Sequence, residues 1–552
     1  MRSPRPWPAY AALAVILGAG LALRLYHLGH GLPVVYHADE AQHFTTRAVR
    51  MLGGDLNPHY FDNPSAFTYL IYVALRALHD WPAGRYLAHP TPAFETGRAI
   101  ATVLCLLGVA GVFAVGRRLW DDAAGVAGAA VLAFAFLTVA YSRLAVTDAG
   151  ALLPAVAAVY AAVRAHEDGR LRWFALGGAA VGLAVGFKYT AGLAGVPLVL
   201  AAALRVRGEP RVLAGLALSA VLAALVFVAT TPYFALDLGA ALDDLRTQSR
   251  AASHAKLGQD DGSGVLFYLR SLTWGLGWLA ALAAAGGLVL EARERPARAA
   301  LLAVFPLLLF VYLSTAGRHF GRWLLPAYPV LALLAGCALA RLAARLPARR
   351  PAVRAAALGA LILVTVAQPL WASVRTGRLL GRADTRVLAR AYLARTLPAG
   401  ARVVIEPAVP RRFFGGRYVA GFQAPPPDAV AGGRPRRFIV SLAPSRIDDY
   451  RRAGYCTVIG ISHIEQRARR SGRRRVLAYY ARLARESRVV FRASPFRRGA
   501  KPPPFDFDFS THLYYPRAYV RPGPVVTVRR LDRCLQRVGG PAARVGPDGP
   551  SR

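Results

Sequence analysis

"ALLPAVAAVYAAVRAHEDGRLRWFALGGAAVGLAVGFKYTAGLAGVPLVLAAALRVRGEPR", residues 151–211, repeats one alternation. An apolar run gives way to a short Arg-rich loop, then to a second run, the brief polar turn "KYT", a third run and another Arg-rich loop. A helix of about 20 apolar residues crosses a bilayer core, so the stretch predicts adjacent transmembrane helices. Similar runs centre near residues 17, 106, 132, 156, 179, 197, 220, 279, 306, 333 and 362. They predict an all-α polytopic membrane protein of about 11 spans. The chain is 552 residues long and 55% hydrophobic, which excludes a single soluble domain of ordinary composition.

Charge sets the orientation. With the N-terminus cytoplasmic, "GRRLWDD", "RAHEDGRLR", "RVRGEPR", "EARERPAR" and "ARLAARLPARRPAVR" become the inner loops, each short and Arg-rich. The outer loops are then 27–96, "SRLAVTD", "KYT", 231–266 and "TAGRHFGR", and two of these are long and rich in acids and histidines. The opening "MRSPRPWPAYAALAVILGAGLALRLYHL" has a basic flank but no small-x-small cleavage site, so it predicts a retained first helix. The net charge of +39 suggests a nucleic-acid partner only until its distribution is read. The arginines lie in short loops and in the C-terminal third, with no zinc-finger or RNA-recognition pattern, and nucleic acid is set aside.

An odd span count puts the chain beyond about residue 375 outside. There "ARVVIEP", "RFIVSL", "CTVIGI", "RVVF" and "VVTVRR" read as strands among helical patterns at 384–396 and 473–486. The expected organisation is a membrane domain over 1–375, an extracytoplasmic mixed α/β domain over 376–540 and a disordered tail over 541–552. Cys105 and Cys337 fall in apolar runs and read as buried hydrophobes. Cys456 and Cys534 either pair outside the cytoplasm or stay free thiols.

Polar groups beside membrane helices are costly and therefore functional suspects. Five sets stand out, all on the predicted outer side. In "VVYHADEAQHFTTRAVRML", residues 34–52, Asp39 and Glu40 point about 100° apart on a helix, so one faces a site while its neighbour supports it. Asp39, His43 and Arg47 follow one helical face, and simple capping by the acids is the alternative. "HADEAQH" has no established metal-ligand spacing. The rest of that loop brings Asn57, His59, Asp62 and Asn63, then an aromatic amphipathic helix suited to the interface. "YSRLAVTDA" carries Arg143 and Asp148, read as an ion pair or as substrate contacts. Lys188 stands in a tight outer turn, to snorkel or to hold a phosphate. "GRHFGRWLLPAYP" carries Arg318, His319 and Arg322, either interfacial anchors or phosphate forks.

These segments resemble the dolichyl-phosphate-mannose–protein mannosyltransferase family and its bacterial relatives, the aminoarabinose transferases, which are glycosyltransferases of the GT-C fold. "HADEAQHFTTRAVRMLGGD", "YSRLAVTDAGALLP", "GLAVGFKYTAGL" and "GRHFGRWLLPAYPVLALLAG" occur in family order over residues 10–345. "DTRVLARAYLARTLPAGARVVIEP" is similar to the start of an external domain in bacterial members. The resemblance implies a sugar donor, mannose or similar, linked to polyprenyl phosphate, and transfer with inversion on the outer face of a bacterial inner membrane. It implies Asp39 as general base with Glu40 as its catalytic neighbour. Lys188, Arg318, Arg322 and Arg143 would bind the donor phosphate, and His43, Asn63, Tyr189, Asp148 and His319 the substrates. The acceptor is a protein, lipid or glycan hydroxyl. No cofactor is implied, and a divalent metal is left open. Arg318-His319-Phe320 departs from the family's Arg-Tyr, and 231–266 has no counterpart in the protein mannosyltransferases. A lipid-linked-sugar flippase and a non-catalytic scaffold binding anionic lipid or polymer are the rival readings. The flippase expects pseudo-symmetric repeats, and the sequence has none.

Overall fold

The computed structural model describes residues 7–255, 258–259, 262–346, 351–398, 401–406, 419–422, 442–503, 506 and 514–536. The chain divides into two compact units, Met1–His254 with Gly262–Gly377, and Ala255–Asp261 with Arg378–Arg552.

The first unit is helical. Each of the eleven apolar centres falls in a helix. Among the described residues eight helices are long and apolar enough to cross a membrane, and nine if one bent pair counts as a single span. The bent pair is Asp122–Phe134 with Phe136–Ser142, at 58°. At the break the Thr138 hydroxyl reaches the carbonyls of Leu132 (2.8 Å) and Ala135 (2.7 Å), the second of which also accepts from Val139 N at 3.1 Å. The centres at 179 and 197 fall in the shorter apolar helices Leu171–Phe187 and Tyr189–Arg205. The chain is interrupted there at Lys188, whose backbone is extended.

Between lipid-facing helices the hydrophobic effect offers little, so close backbone approach has to supply the contact. Helix Leu171–Phe187 achieves this against Arg211–Thr230 through "GGAAVGLAVG". A Cβ on Gly178 or Gly182 would collide with the backbone of Ser219 or Ala223. The Ser219 hydroxyl donates across the interface to the Phe174 carbonyl at 2.6 Å.

The two long loops expected outside are structured. Loop 27–96 forms the short helices Ala38–Gln42, Thr45–Met51, Ala66–Leu78 and Ala83–Ala88. Ala66–Leu78 buries Phe67, Ile71 and Leu75 and exposes Leu70, Val73 and Leu78, the amphipathic distribution read from its sequence. Loop 231–266 forms helices Pro232–Leu236 and Leu238–Ala252, while Ala255–Asp261 groups with the second unit.

The second unit contains a five-stranded mixed sheet. Its strands are β1 (Arg402–Ile405), β2 (Val419–Phe422), β3 (Thr457–Ile461), β4 (Ser487–Ala493) and β5 (Val526–Leu531), in the order β2-β1-β3-β5-β4. The β2/β1/β3 part is parallel and the β3/β5/β4 part antiparallel. Four of the five strands and both helical patterns coincide with the sequence reading. Strand β2 was not anticipated, and "RFIVSL" and the C-terminal tail lie outside the described residues, the strand run but for Leu442. Cys456 and Cys534 form a disulfide beside the β3/β5 pair, and Cys105 and Cys337 are free and buried.

The glycine seam gives a direct test. Gly182→Leu should separate the two helices and lower stability by about 1–3 kcal/mol, as overpacking does, while Gly192→Leu, near a side chain only, should cost less. Thermal unfolding of both variants in detergent decides this.

Candidate active site

The run from His37 to Arg50 is not one amphipathic helix. Helix Ala38–Gln42 is capped by His37, whose Nδ1 accepts from Glu40 N at 3.5 Å, and a second helix, Thr45–Met51, starts after a bend. The bend buries Phe44 against Phe67, with ring centroids 5.6 Å apart. Asp39 and His43 remain neighbours at 4.0 Å. Arg47 turns aside to the carbonyls of Pro58 (2.6 Å) and His59 (2.7 Å), over the ring of Tyr60. Tyr60 in turn stacks on His43 at 4.5 Å. Upstream, buried Val35 adopts φ 55°, a left-handed conformation rare for a β-branched residue and typical of strain held at a site.

The two adjacent acids part company at once. Glu40 is fully buried and takes both forks of Arg98, at 2.7 and 2.9 Å. Its Oε1 also accepts from Ala145 N at 2.8 Å. Arg98 continues to the carbonyls of Leu28 and, at 2.9 Å, His30. Glu40 is thus a fastening point for the loop. Asp39 keeps 30% of its side chain exposed and meets Arg322 at 2.5 Å.

Arg322 begins a chain of charges. Its carbonyl accepts from Lys188 Nζ at 3.2 Å, and Lys188 pairs with Asp148 at 2.5 Å. Its guanidinium lies 5.4 Å from the Tyr141 ring centroid and 5.5 Å from that of Phe320. Asp148, Tyr189 and Arg322 each stand in a short 3₁₀ segment that opens a helix (Thr147–Ala151, Tyr189–Gly195, Gly321–Ala327). The Thr147 hydroxyl ties two of these regions together by donating to the Phe187 carbonyl at 2.7 Å. Four residues spread over nearly 300 positions of sequence therefore converge.

The remaining predicted residues are held by other partners. Arg143 is buried and donates to the Tyr26 carbonyl, while Asp148, the partner considered for it, is taken by Lys188. Arg318 stands in the turn before the 3₁₀ segment of Arg322. His319 is buried with its ring 5.3 Å from Phe267 and 6.0 Å from Tyr268. Asn63 donates to the Tyr60 hydroxyl at 2.6 Å, and the Tyr189 hydroxyl donates to the Phe61 carbonyl at 3.0 Å. Among the described residues no three His, Cys, Asp or Glu side chains gather as metal ligands.

Sequence reading missed a second wall. Asp244 accepts from Phe61 N and Asp237 from Asn57 Nδ2, both at 2.8 Å. These acids join helix Leu238–Ala252 and its N-cap to loop 27–96. Their seven-residue spacing, two helical turns, was the available signal.

Electrostatics separates the titrating groups. Burial works to raise the Asp39 carboxyl, but Arg322, with His37 and His43, outweighs it and holds the group well below the carboxylate range. Burial, aided by Arg47 and Arg322, brings His43 down to about 4 against the pull of Asp39, so it is neutral near pH 7. Burial and then Asp244 push Asp62 up to about 6.

Residues 93–234 match the family model of the dolichyl-phosphate-mannose-protein mannosyltransferases. No curated protein matches the chain. Among solved structures, ArnT from Cupriavidus metallidurans bound to undecaprenyl phosphate superposes with TM-score 0.54 and 14% identity, covering 93% of this chain and 97% of that one. The Archaeoglobus fulgidus oligosaccharyltransferase in the apo form gives TM-score 0.55 at 13% identity, covering 84% and 70%. AglB from the same organism, with an inhibitory peptide and a dolichol-phosphate, gives 0.53 at 13%, covering 88% and 73%. The chain has the GT-C fold, and residues 93–234 are similar to the dolichyl-phosphate-mannose-protein mannosyltransferases. In this GT-C chain the matched span contains Arg98, Arg143, Asp148 and Lys188. Asp39 and Arg322 lie outside it, and geometry alone joins them to the rest.

The Glu40–Arg98 pair predicts an asymmetric mutant cycle. Arg98→Ala strands a buried carboxylate and should cost about 3–5 kcal/mol, while Arg98→Ala with Glu40→Ala should cost less than the sum of the singles. Thermal unfolding of the four proteins measures the coupling.

Proposed function

We propose that this protein is a membrane glycosyltransferase that moves a sugar from a polyprenyl-phosphate carrier to an acceptor hydroxyl on the extracytoplasmic face, with Asp39 as general base. The observation that carries the reading is the 2.5 Å contact of Asp39 with Arg322, beside Lys188. It joins the one acid of the adjacent pair left accessible to the cation best suited to a phosphate. The polyprenyl phosphates held by ArnT and AglB, in the same fold, favour a carrier of this class. The Arg-rich inner loops favour the outer face.

In the reaction the acceptor oxygen attacks the anomeric carbon while its proton passes to Asp39. The bond from that carbon to the phosphate oxygen breaks, and polyprenyl phosphate leaves with the electron pair. A single displacement inverts the anomeric configuration. The departing phosphate gathers negative charge, which Arg322 stabilises most directly. Lys188 carries Asp148 as counter-ion, so its part is to hold the Arg322 backbone and contribute field from behind.

Pairing with Arg322 makes Asp39 a poor base, and the same pairing supplies the remedy. When the donor phosphate draws the guanidinium to itself, Asp39 loses its stabilising cation and burial raises its basicity. Donor binding thereby arms the base. His43, neutral at pH 7, stays beside Asp39 without supplying a competing cation. Tyr60, Asn63 and Tyr189 shape the wall facing it, where the acceptor would lie.

Transfer from radiolabelled polyprenyl-phosphate sugars by purified wild type, Asp39→Asn and Arg322→Gln tests this. Asp39→Asn should lose about 10²–10⁴ in rate, and Arg322→Gln about 10²–10³. In Arg322→Gln, burial acts on Asp39 unopposed by that arginine. The carboxyl then protonates at higher pH, so the acid limb of kcat/KM should move upward. Full transfer by Asp39→Asn would remove it as the base.

A further inference from the structure

We infer that the second unit carries an anion site of its own, a cleft at the β4–β5 end of the sheet suited to a phosphate monoester of sugar size. This open cleft of about 470 Å³ is lined by Arg488, Arg530, Arg533 and Asp532, together with Leu531, Leu535 and disulfide-bonded Cys534. Three guanidiniums against one carboxylate leave it strongly cationic. Among the described residues none of the three arginines pairs with a carboxylate, although other arginines of this unit do, as Arg482 does with Asp448 and Glu486.

The placement of these arginines runs against local stability. Arg488 and Arg530 stand directly opposite each other in the antiparallel β4/β5 register, where like charges destabilise the pair. A charged edge strand deters edge-to-edge pairing, and this accounts for Arg488 on β4. It does not account for Arg530, because β5 is paired on both sides, with Thr457 of β3 opposite Arg530. Arg533 adds a left-handed backbone, φ 51°, that an L-residue without glycine's freedom adopts only under constraint. Two local rules are broken around one concavity, the pattern expected where a site is kept at the expense of stability.

The cleft wall is fastened rather than loose. Cys534 is bonded to Cys456, Asp532 N donates to the Glu486 carbonyl at 3.0 Å, and Arg451 Nε donates to the Asp532 carbonyl at 3.1 Å. Gln536 Nε2 donates to the Arg402 carbonyl at 2.8 Å. The backbone that carries the cations is therefore fixed before any ligand arrives. Planar guanidinium forks match phosphate oxygens in paired hydrogen bonds. The volume exceeds what a bare phosphate fills and lies in the range of small-molecule pockets.

Hydrogen–deuterium exchange on the full chain in phosphatidylcholine nanodiscs tests the site. Titrants are glucose 6-phosphate, inorganic phosphate and glucose, and a separate arm uses nanodiscs containing phosphatidic acid. Glucose 6-phosphate should slow exchange at 486–491 and 528–535, with half-saturation about tenfold or more weaker in Arg530→Gln and in Arg533→Gln. Glucose should do nothing. Protection by phosphatidic acid in place of the soluble phosphate would identify a lipid headgroup as the source of the same chemistry. Without ligand, Arg530→Gln should unfold at the same temperature as wild type or higher, since it relieves the opposed pair. No protection by any phosphate, equal protection in the variants, or a destabilised Arg530→Gln would each overturn the proposal.

Discussion

A charge withdrawn from water must find a counter-charge, and this constraint orders everything around loop 27–96. Arg98, fully buried, takes Glu40, and Lys188, nearly so, takes Asp148. Two neighbouring acids of the same sequence motif are thereby assigned opposite fates. One becomes a rivet between the loop and helix Thr91–Leu119; the other is left at the surface of the site with Arg322. Besides that rivet, the five-residue helix that carries Asp39 is held by a histidine cap, its own few hydrogen bonds and the Asp39–Arg322 pair. The proposed chemistry rests on that division of labour.

The same constraint explains which parts of the site were legible in the sequence. Hydropathy is local, so the helices could be read directly, and polar residues interrupting it flagged Asp39, Asp148, Lys188 and Arg322. Pairings are long-range and could not be read. Arg143 and Asp148 flank one turn and invite a mutual ion pair, yet the 3₁₀ turn at Thr147–Ala151 presents Asp148 to Lys188, 40 positions away. Arg98 sits at the start of an apolar run, 58 positions from the glutamate it neutralises. The single helical face read through Asp39, His43 and Arg47 is broken at Phe44, whose ring is buried against Phe67. The wall built by Asp237 and Asp244 lay in a loop whose sequence had no familiar counterpart.

In the second unit the β-alternation marked β1, β3, β4 and β5, and the sulfur pairing, left open by the sequence, is settled by the approach of β3 and β5. Strand β2, four residues containing a glycine, carries too little pattern to announce itself and takes its place by parallel pairing with β1. Its neighbours show that a basic surface is not uniform: some arginines are committed to ion pairs, and others face one another across the sheet.

The central claim is that Asp39 and the donor phosphate compete for one guanidinium. Equilibrium binding of polyprenyl phosphate to the Asp39→Asn protein tests it most directly. Asparagine frees Arg322 from its ion pair, so the account predicts that Asp39→Asn binds the lipid phosphate as tightly as wild type or more tightly, while Arg322→Gln binds it more weakly. Weaker binding by Asp39→Asn in a protein that remains folded would contradict the account.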